Sequence, residues 1–250
     1  MLMPSYHVVA NTASPAQNVE TDLTPVNDTI LPIFNTHWFP QDTPQLLWAS
    51  AMSTSIARAR VQTPTLLKTT SPYIRGIMGG LVPTTPAQVA DYRVNPLDMR
   101  SREEIIVFGT QSNAMAMRIT SLLGLLFSPM PPVTGDQYTM RGTSTTTVTA
   151  NAWSLLTVVW QNQLPQGNYA VTGLQHQSTN AQAARVIFLG AYYRPGCMSL
   201  ANLTDYGHPM FRLGGLGQWG GFRDNIMPNI EVLANGADAA HELYLDFQAV

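Results

Sequence analysis

Displaced against itself by 125 residues, the chain lays Thr21–Val61 over Thr146–Val186 without a gap. Ten of these 41 pairs are identical: Thr21/Thr146, Thr24/Thr149, Leu31/Leu156, Pro40/Pro165, Gln41/Gln166, Ser53/Ser178, Thr54/Thr179, Ala59/Ala184, Arg60/Arg185 and Val61/Val186. Ordinary composition gives roughly one match in sixteen by chance. Other pairs keep apolar character, among them Leu23/Val148, Ile30/Leu155, Ile33/Val158 and Leu46/Val171. The same displacement sets Ile105-Ile106-Val107-Phe108 over Ile230-Glu231-Val232-Leu233. A period of half the 250-residue chain means one module written twice, so each copy needs its own core in about 125 residues. The proline-rich stretch 129–135 is the natural joint, which predicts one unit over 1–128 and a second over 136–250.

Each module reads as strand. Runs rich in Val, Ile, Leu, Thr and aromatics, bounded by Pro, Gly or Asn, predict strands at Thr29–Phe34, Gln45–Ala49, Ile56–Gln62, Glu104–Gly109 and Met117–Phe127. In the second half they fall at Tyr138–Thr149, Ser154–Trp160, Asn168–Gly173, Ala184–Leu189, Glu231–Ala234 and His241–Ala249. Gln111–Leu123 can be drawn as a helix, but its β-branched residues and the flanking Gly109 and Gly124 oppose one. With some eight short strands and no helical layer, each unit must pack sheet on sheet or close into a barrel. Long connections such as Thr63–Pro96 suit an eight-stranded jelly roll better than an immunoglobulin-like sandwich. The expected fold is therefore all-β, two tandem jelly rolls related by duplication.

Charge narrows the function classes. Charged residues make up 11% of the chain, 13 basic against 15 acidic for a net charge of −2, where soluble proteins carry about 25%. Lys68 is the only lysine and no basic block exists, which argues against electrostatic capture of nucleic acid. Uncharged polar surface is cheaper to dehydrate than ions, so such a surface suits life inside an assembly. The longest apolar run, Ile119–Phe127, is too short to span a bilayer as a helix. The N-terminus has neither the charged nor the apolar region of a signal peptide. Cys197 is the only cysteine, which excludes an internal disulfide and is read as a small buried hydrophobe.

Candidate chemistry is sparse. The histidines, at positions 7, 37, 176, 208 and 241, include no zinc-ligand spacing and no HExxH. His176 and His208 are read as solvated loop residues. No GxSxG elbow supports a hydrolase triad. Gly214–Gly221 is the most glycine-dense stretch, but Pro228 soon after opposes the helix a phosphate cradle needs. It reads as a turned loop with Trp219 as an anchor. Scattered aspartates (Asp22, Asp28, Asp91, Asp98, Asp136) read as turn formers rather than a calcium site. Asn27-Asp-Thr29 and Asn202-Leu-Thr204 match glycosylation acceptors and are read as turns. No catalytic residue, cofactor or metal is expected. Arg58 and Arg60 alternate with Ala57, Ala59 and Val61, so both project from one strand face, solvated or set against a neighbouring subunit. Arg185 holds the equivalent place in the second half, where Ala183 replaces the other arginine.

The stretch Ile56–Leu67 followed by Pro72-Tyr-Ile-Arg75 looks like phage coat-protein sequence, as does Leu164–Gly173 leading into Ala183–Phe188 and Arg194-Pro-Gly196. Together with the duplication, the chain resembles the double-jelly-roll major capsid proteins of small, tailless, membrane-containing icosahedral bacteriophages. The resemblance covers most of the chain and rests on strand and loop style, not on an invariant motif. It implies a structural virion protein and not an enzyme, made in the host cytoplasm and assembling as pseudo-hexagonal homotrimers into an icosahedral shell. Its implied partners are itself, other virion proteins such as vertex or minor capsid proteins, and a membrane where one underlies the shell, with no sequence-specific nucleic acid. In that setting Arg58, Arg60, Arg185 and Trp219 are the candidate interface residues. A second reading stays open: a virion spike or carbohydrate-binding attachment protein built from two β-sandwiches, with Trp38, Trp48 or Trp219 exposed in a shallow groove.

Overall fold

Most long strands are buried along nearly their whole length, as in Gln45–Ser53 and Ile119–Leu126, while one alternates inward and outward. In Gln137–Ser144, Met140, Gly142 and Ser144 are buried while Thr139, Arg141 and Thr143 are exposed, the period of two that sets a half-buried strand on a core. The computed structural model describes residues 5–26, 36–37, 44–53, 57–62, 76–81, 89–98, 105–199 and 216–250. Among these there is no helix. The chain divides into two compact units, Val9–Phe127 and Met1–Val8 with Ser128–Val250. The residues before Val9 thus group with the C-terminal unit.

The N-terminal unit contains β1 (Tyr6–Ala13, whose first three residues belong to the other unit), β2 (Thr21–Asp22), β3 (Thr24–Pro25), β4 (Thr36–His37), β5 (Gln45–Ser53) and β6 (Ala57–Gln62). It continues with β7 (Gly76–Leu81), β8 (Val89–Asp91), β9 (Leu97–Asp98), β10 (Ile105–Gln111) and β11 (Ile119–Leu126). Their order is β2-β10-β6-β7-β5-β11-β1-β3, with β4 on β10 and both β8 and β9 on β5. The C-terminal unit contains β12 (Gln137–Ser144), β13 (Trp153–Leu156), β14 (Val159–Trp160), β15 (Asn168–Gln177) and β16 (Ala181–Ile187). After these come β17 (Gly196–Met198), β18 (Gly220–Arg223), β19 (Asn229–Ala234) and β20 (His241–Ala249). They form two sheets, β14-β12-β20-β15-β18 and β13-β19-β16-β17.

With the two-residue β14 set aside, the C-terminal unit counts eight strands. One sheet takes the first, eighth, third and sixth, and the other takes the second, seventh, fourth and fifth. That order is a jelly roll. The N-terminal unit repeats it, with β1, β11, β5 and β8 adjacent in one set and β2, β10, β6 and β7 in the other. There a parallel pairing of β5 with β7, Ala51 opposite Gly79, joins the two sets into one sheet.

The duplication is also written in an irregularity. Between the pairs Trp48↔Gly124 and Leu46↔Leu125, Leu47 is an extra residue on β5. Between Gly173↔Asp246 and Val171↔Phe247, Thr172 is an extra residue on β15. Leu47 and Thr172 are 125 positions apart, the displacement of the sequence repeat. A β-bulge bends its strand and raises the local twist, so both units carry the same bend at the same place. Gly124 lets the bend close: a Cβ there would stand 2.1 Å from Trp48 Nε1, and the fully buried Trp48 ring occupies that space.

The joint at 129–135 is tied to the C-terminal unit. Gln218 donates its backbone N–H to Pro131 O (2.8 Å) and its side-chain amide to Pro132 O (3.1 Å). Thr134 and Gly135 donate to Gln248 Oε1. Gly217 sits at φ +104°, where a Cβ would lie 2.5 Å from Pro131 O, so only glycine lets the two segments approach.

One sequence expectation changes. Gly220 and Gly221, read as loop, form β18 and pair with β15. Gln111–Leu123 is no helix, as its β-branched residues and flanking glycines argued: β10 ends at Gln111, whose side-chain amide donates to Pro15 O, Asn113 O and Met115 O and so holds the turn into β11. The strand read at Thr29–Phe34 lies outside the described residues.

Candidate functional site

The three arginines of the sequence reading occupy different surroundings. Arg58 and Arg60, two apart on β6, line one recess of about 500 Å³ with Asn18, Glu20, Phe108 and Thr110. Arg58 is exposed. Arg60 is largely buried, paired through Nε and Nη2 with Glu20 and through Nη1 with Gln62 Oε1 (2.7 Å), its guanidinium 3.9 Å from the centre of the Phe108 ring. The cross-strand register of β6 and β10, Arg60 opposite Phe108, places that ring. A guanidinium over an aromatic face gains from the ring quadrupole, more so when water is excluded.

Arg185, in the equivalent position, is fully buried. Its Nε and Nη2 each lie 2.8 Å from Glu231 Oε2, its cross-strand partner on β19. Its Nη1 donates to Val8 O (3.3 Å), and its guanidinium sits 3.9 Å from the Trp153 ring centre. Arg194 Nη1 donates to the same carboxylate oxygen at 2.7 Å. Residues 6–8 cover this cluster: Val8 N–H donates to Arg194 O (3.0 Å), Arg194 N–H to His7 Nδ1 (2.7 Å) and Tyr6 O–H to Gly196 O (3.1 Å). Arg185 is therefore engaged inside its own unit, whereas the Arg58–Arg60 recess opens to solvent.

Trp219 is fully buried as well, its ring centre 5.7 Å from that of Tyr6 and its backbone N–H on Val171 O. It anchors the glycine stretch to its own unit rather than presenting an indole outward. Trp48 is equally buried, so neither ring supplies the exposed stacking surface that a glycan groove requires. Trp38, His208, Asp28, Asn27 and Asn202 lie outside the described residues.

His176 departs most from its sequence reading. It is not a solvated loop residue: it lies on β15, fully buried, and faces His241 on the adjacent β20. Its Nδ1 is 2.6 Å from Ser199 Oγ and its Nε2 is 3.3 Å from His241 Nδ1, while His241 Nε2 is 3.1 Å from Thr146 O. Burial, then the neighbouring His241, lowers the His176 imidazole to about 3, against a weaker upward pull from Asp238. The Asp238 carboxyl lies below its ordinary value: burial pushes it up, but hydrogen bonds from Ser178 Oγ and Asn180 N–H outweigh that. Cys197 is buried, as the sequence suggested, and burial drives its thiol well above the usual range. Among the described residues no group of three or more His, Cys, Asp or Glu side chains converges as a metal site would require.

No family model matches the sequence, and no curated protein matches it. Among solved structures the chain is similar to the crystal structure of the major capsid protein P2 from bacteriophage PM2, at 10% identity and a TM-score of 0.22, over 99% of this chain and 98% of that one. The double jelly roll is carried by the chain's own strand order and its paired bulges.

Proposed function

We propose that the chain is a structural virion protein, a major capsid protein that assembles as a trimer into a shell. The observation that carries this reading is the repeated jelly roll, two units of one strand order bent by one bulge within a single polypeptide. Three copies in a ring offer six similar units, so a threefold assembly can occupy a hexagonal lattice point. Duplication within the chain frees the halves to differ, as they already do around Arg60 and Arg185.

The surface chemistry fits this use. From Gly142 to Ala184 the sequence has no Asp, Glu, Lys or Arg. That stretch includes β13 and β14, edge strands of the two C-terminal sheets, with Leu155 and Val159 exposed. Free-standing proteins guard strand edges with charge; an uncharged edge suits cover by a neighbouring copy. Arg58, exposed in its recess, offers a forked donor to a carboxylate of another subunit. Under this reading the partners are further copies and other virion proteins, the location is the virion after synthesis in the host cytoplasm, and no catalytic step or cofactor is involved.

Mass photometry of the purified chain, with negative-stain microscopy, tests the proposal. Trimers that build larger hexagonal arrays as concentration rises are expected. A monomer that persists at micromolar concentration across salt conditions overturns it.

A further inference from the structure

With both rings neutral, hydrogen-bond logic fixes the tautomers of the buried histidine pair. Thr146 O can only accept, so His241 Nε2 carries the hydrogen that reaches it. His241 Nδ1 is then an acceptor, and His176 Nε2 must be the donor to it. His176 Nδ1 is left without a hydrogen and accepts from the Ser199 hydroxyl. Each of these ring nitrogens has a partner while both imidazoles are neutral. The chain of bonds crosses the unit: His176 and His241 stand on β15 and β20 of one sheet, Ser199 directly follows β17 of the other, and Thr146 lies in the connection after β12.

One more proton would put a charge where water is excluded. His176, His241 and Ser199 are 0%, 3% and 4% exposed, and no carboxylate touches either ring among the described contacts. The charged and titratable groups around the pair have other engagements. Asp238 is bound by Ser178 and Asn180; Glu242, next to His241, takes hydrogen bonds from Arg141 and Tyr244. Asp246 accepts from Thr139, and the Cys197 thiol is held protonated by burial. An imidazolium at His176 would stand as a buried cation whose burial outweighs the weaker pull of Asp238.

The duplication supplies an internal control. Strands β5 and β11 repeat β15 and β20 in pairing and bulge: Ala51↔Ser121 and Met52↔Thr120 stand where His176↔Leu243 and Gln177↔Glu242 do. At the places of His176 and His241 the N-terminal unit carries Ala51 and Ile119, both fully buried. The fold therefore closes at this spot without imidazoles, and their presence in one unit alone asks for a role beyond packing.

We propose that the Ser199–His176–His241–Thr146 chain is an acid-release latch, which holds the two sheets of the C-terminal jelly roll together while both imidazoles are neutral and lets that unit alone open as protons are taken up. The sign follows from linkage. The opened segment protonates near the ordinary imidazole value of about 6.5, whereas folded His176 resists down to about 3. The closed form is thus fully favoured above about 6.5 and loses ground as pH falls through that window. The inference concerns one unit of the chain and holds whether or not the protein builds a shell.

Amide hydrogen exchange on the intact chain at pH 7.5 and 5.5, corrected for intrinsic exchange rates, reads the latch. Protection at 172–178, 197–199 and 241–247 should drop about tenfold at the lower pH, the factor one linked imidazole proton supplies across that interval. Residues 46–53 and 119–126 should keep theirs. The double variant His176→Ala/His241→Ile, which copies the residues of the N-terminal unit, should lose the pH step. An unchanged wild type, or a step that survives in the variant, overturns the proposal. Should the variant not fold, ring-nitrogen shifts of the wild type decide the matter. A neutral His176 in the closed form at pH 5.5 is expected, and a charged His176 in a fully protected unit sinks the idea.

Discussion

Arg60 and Arg185, 125 positions apart, each hold a guanidinium 3.9 Å from an aromatic ring centre and against a glutamate, but ring and carboxylate have traded strands. For Arg60 the ring comes from Phe108 on β10 and the carboxylate from Glu20, just ahead of β2. For Arg185 the carboxylate comes from Glu231 on β19 and the ring from Trp153 on β13. The strands correspond in the two jelly rolls, so the same triad is assembled twice from reversed contributions. Burial has diverged with it: Glu20 is 31% exposed, whereas Arg185 is sealed under residues 6–8.

That difference predicts unequal costs. Glu231→Ala leaves Arg185 as a buried cation without its counter-ion and should cost about 3–5 kcal/mol. Glu20→Ala should cost less, because Glu20 is 31% exposed and Arg60 keeps its bond to Gln62. Urea titration followed by aromatic emission compares them; equal losses would mean that the Arg185 cluster is solvated.

The bend shared by the units depends on Gly124. Gly124→Ala would press a methyl into the Trp48 indole, and overpacking of this kind costs about 1–3 kcal/mol. Thermal unfolding should show the loss. Pairing it with Trp48→Leu should recover part of it, because the two residues share one contact and their effects do not add.

Tyr6 ties the start of the chain to the C-terminal unit through the Gly196 carbonyl and the Trp219 ring. Tyr6→Ala should cost about 3–5 kcal/mol. Hydrogen exchange should report the loss at residues 194–198 and 219–222, with 46–53 unaffected, although Tyr6 lies closer in sequence to the latter.

Cys197 should stay unmodified by iodoacetamide at pH 8 in the native protein, because burial holds its thiol protonated well above that pH. Alkylation should appear only as urea unfolds the C-terminal unit; rapid native labelling would show that the thiol is reachable.

The repeat was legible because it preserved spacing: the displacement that aligns Arg60 with Arg185 also aligns the two bulged residues. Strand His241–Ala249 was legible from its own composition, and the structure reproduces those bounds. His176 was not. It stands between Gln175 and Gln177, a polar neighbourhood typical of a loop, and its cover comes from Ser199 and His241, 23 and 65 residues away. Strands β17 and β18 escaped for a related reason. Their glycines signal turns locally, yet Gly220 and Gly221 pair with Val171 and Ala170 across the sheet. Nor does anything in Tyr6–Val8 announce that its partners lie beyond residue 180.

The Tyr6–Gly196 hydrogen bond spans 190 residues. At ordinary ribosomal speeds Tyr6 leaves the exit tunnel on the order of 10–40 s before its acceptor does. Residues 6–8 must wait while Val9–Phe127 emerges, and only then can they cover Arg185 and Arg194. Closure of the C-terminal unit is in this way postponed until residues 194–196 have been made.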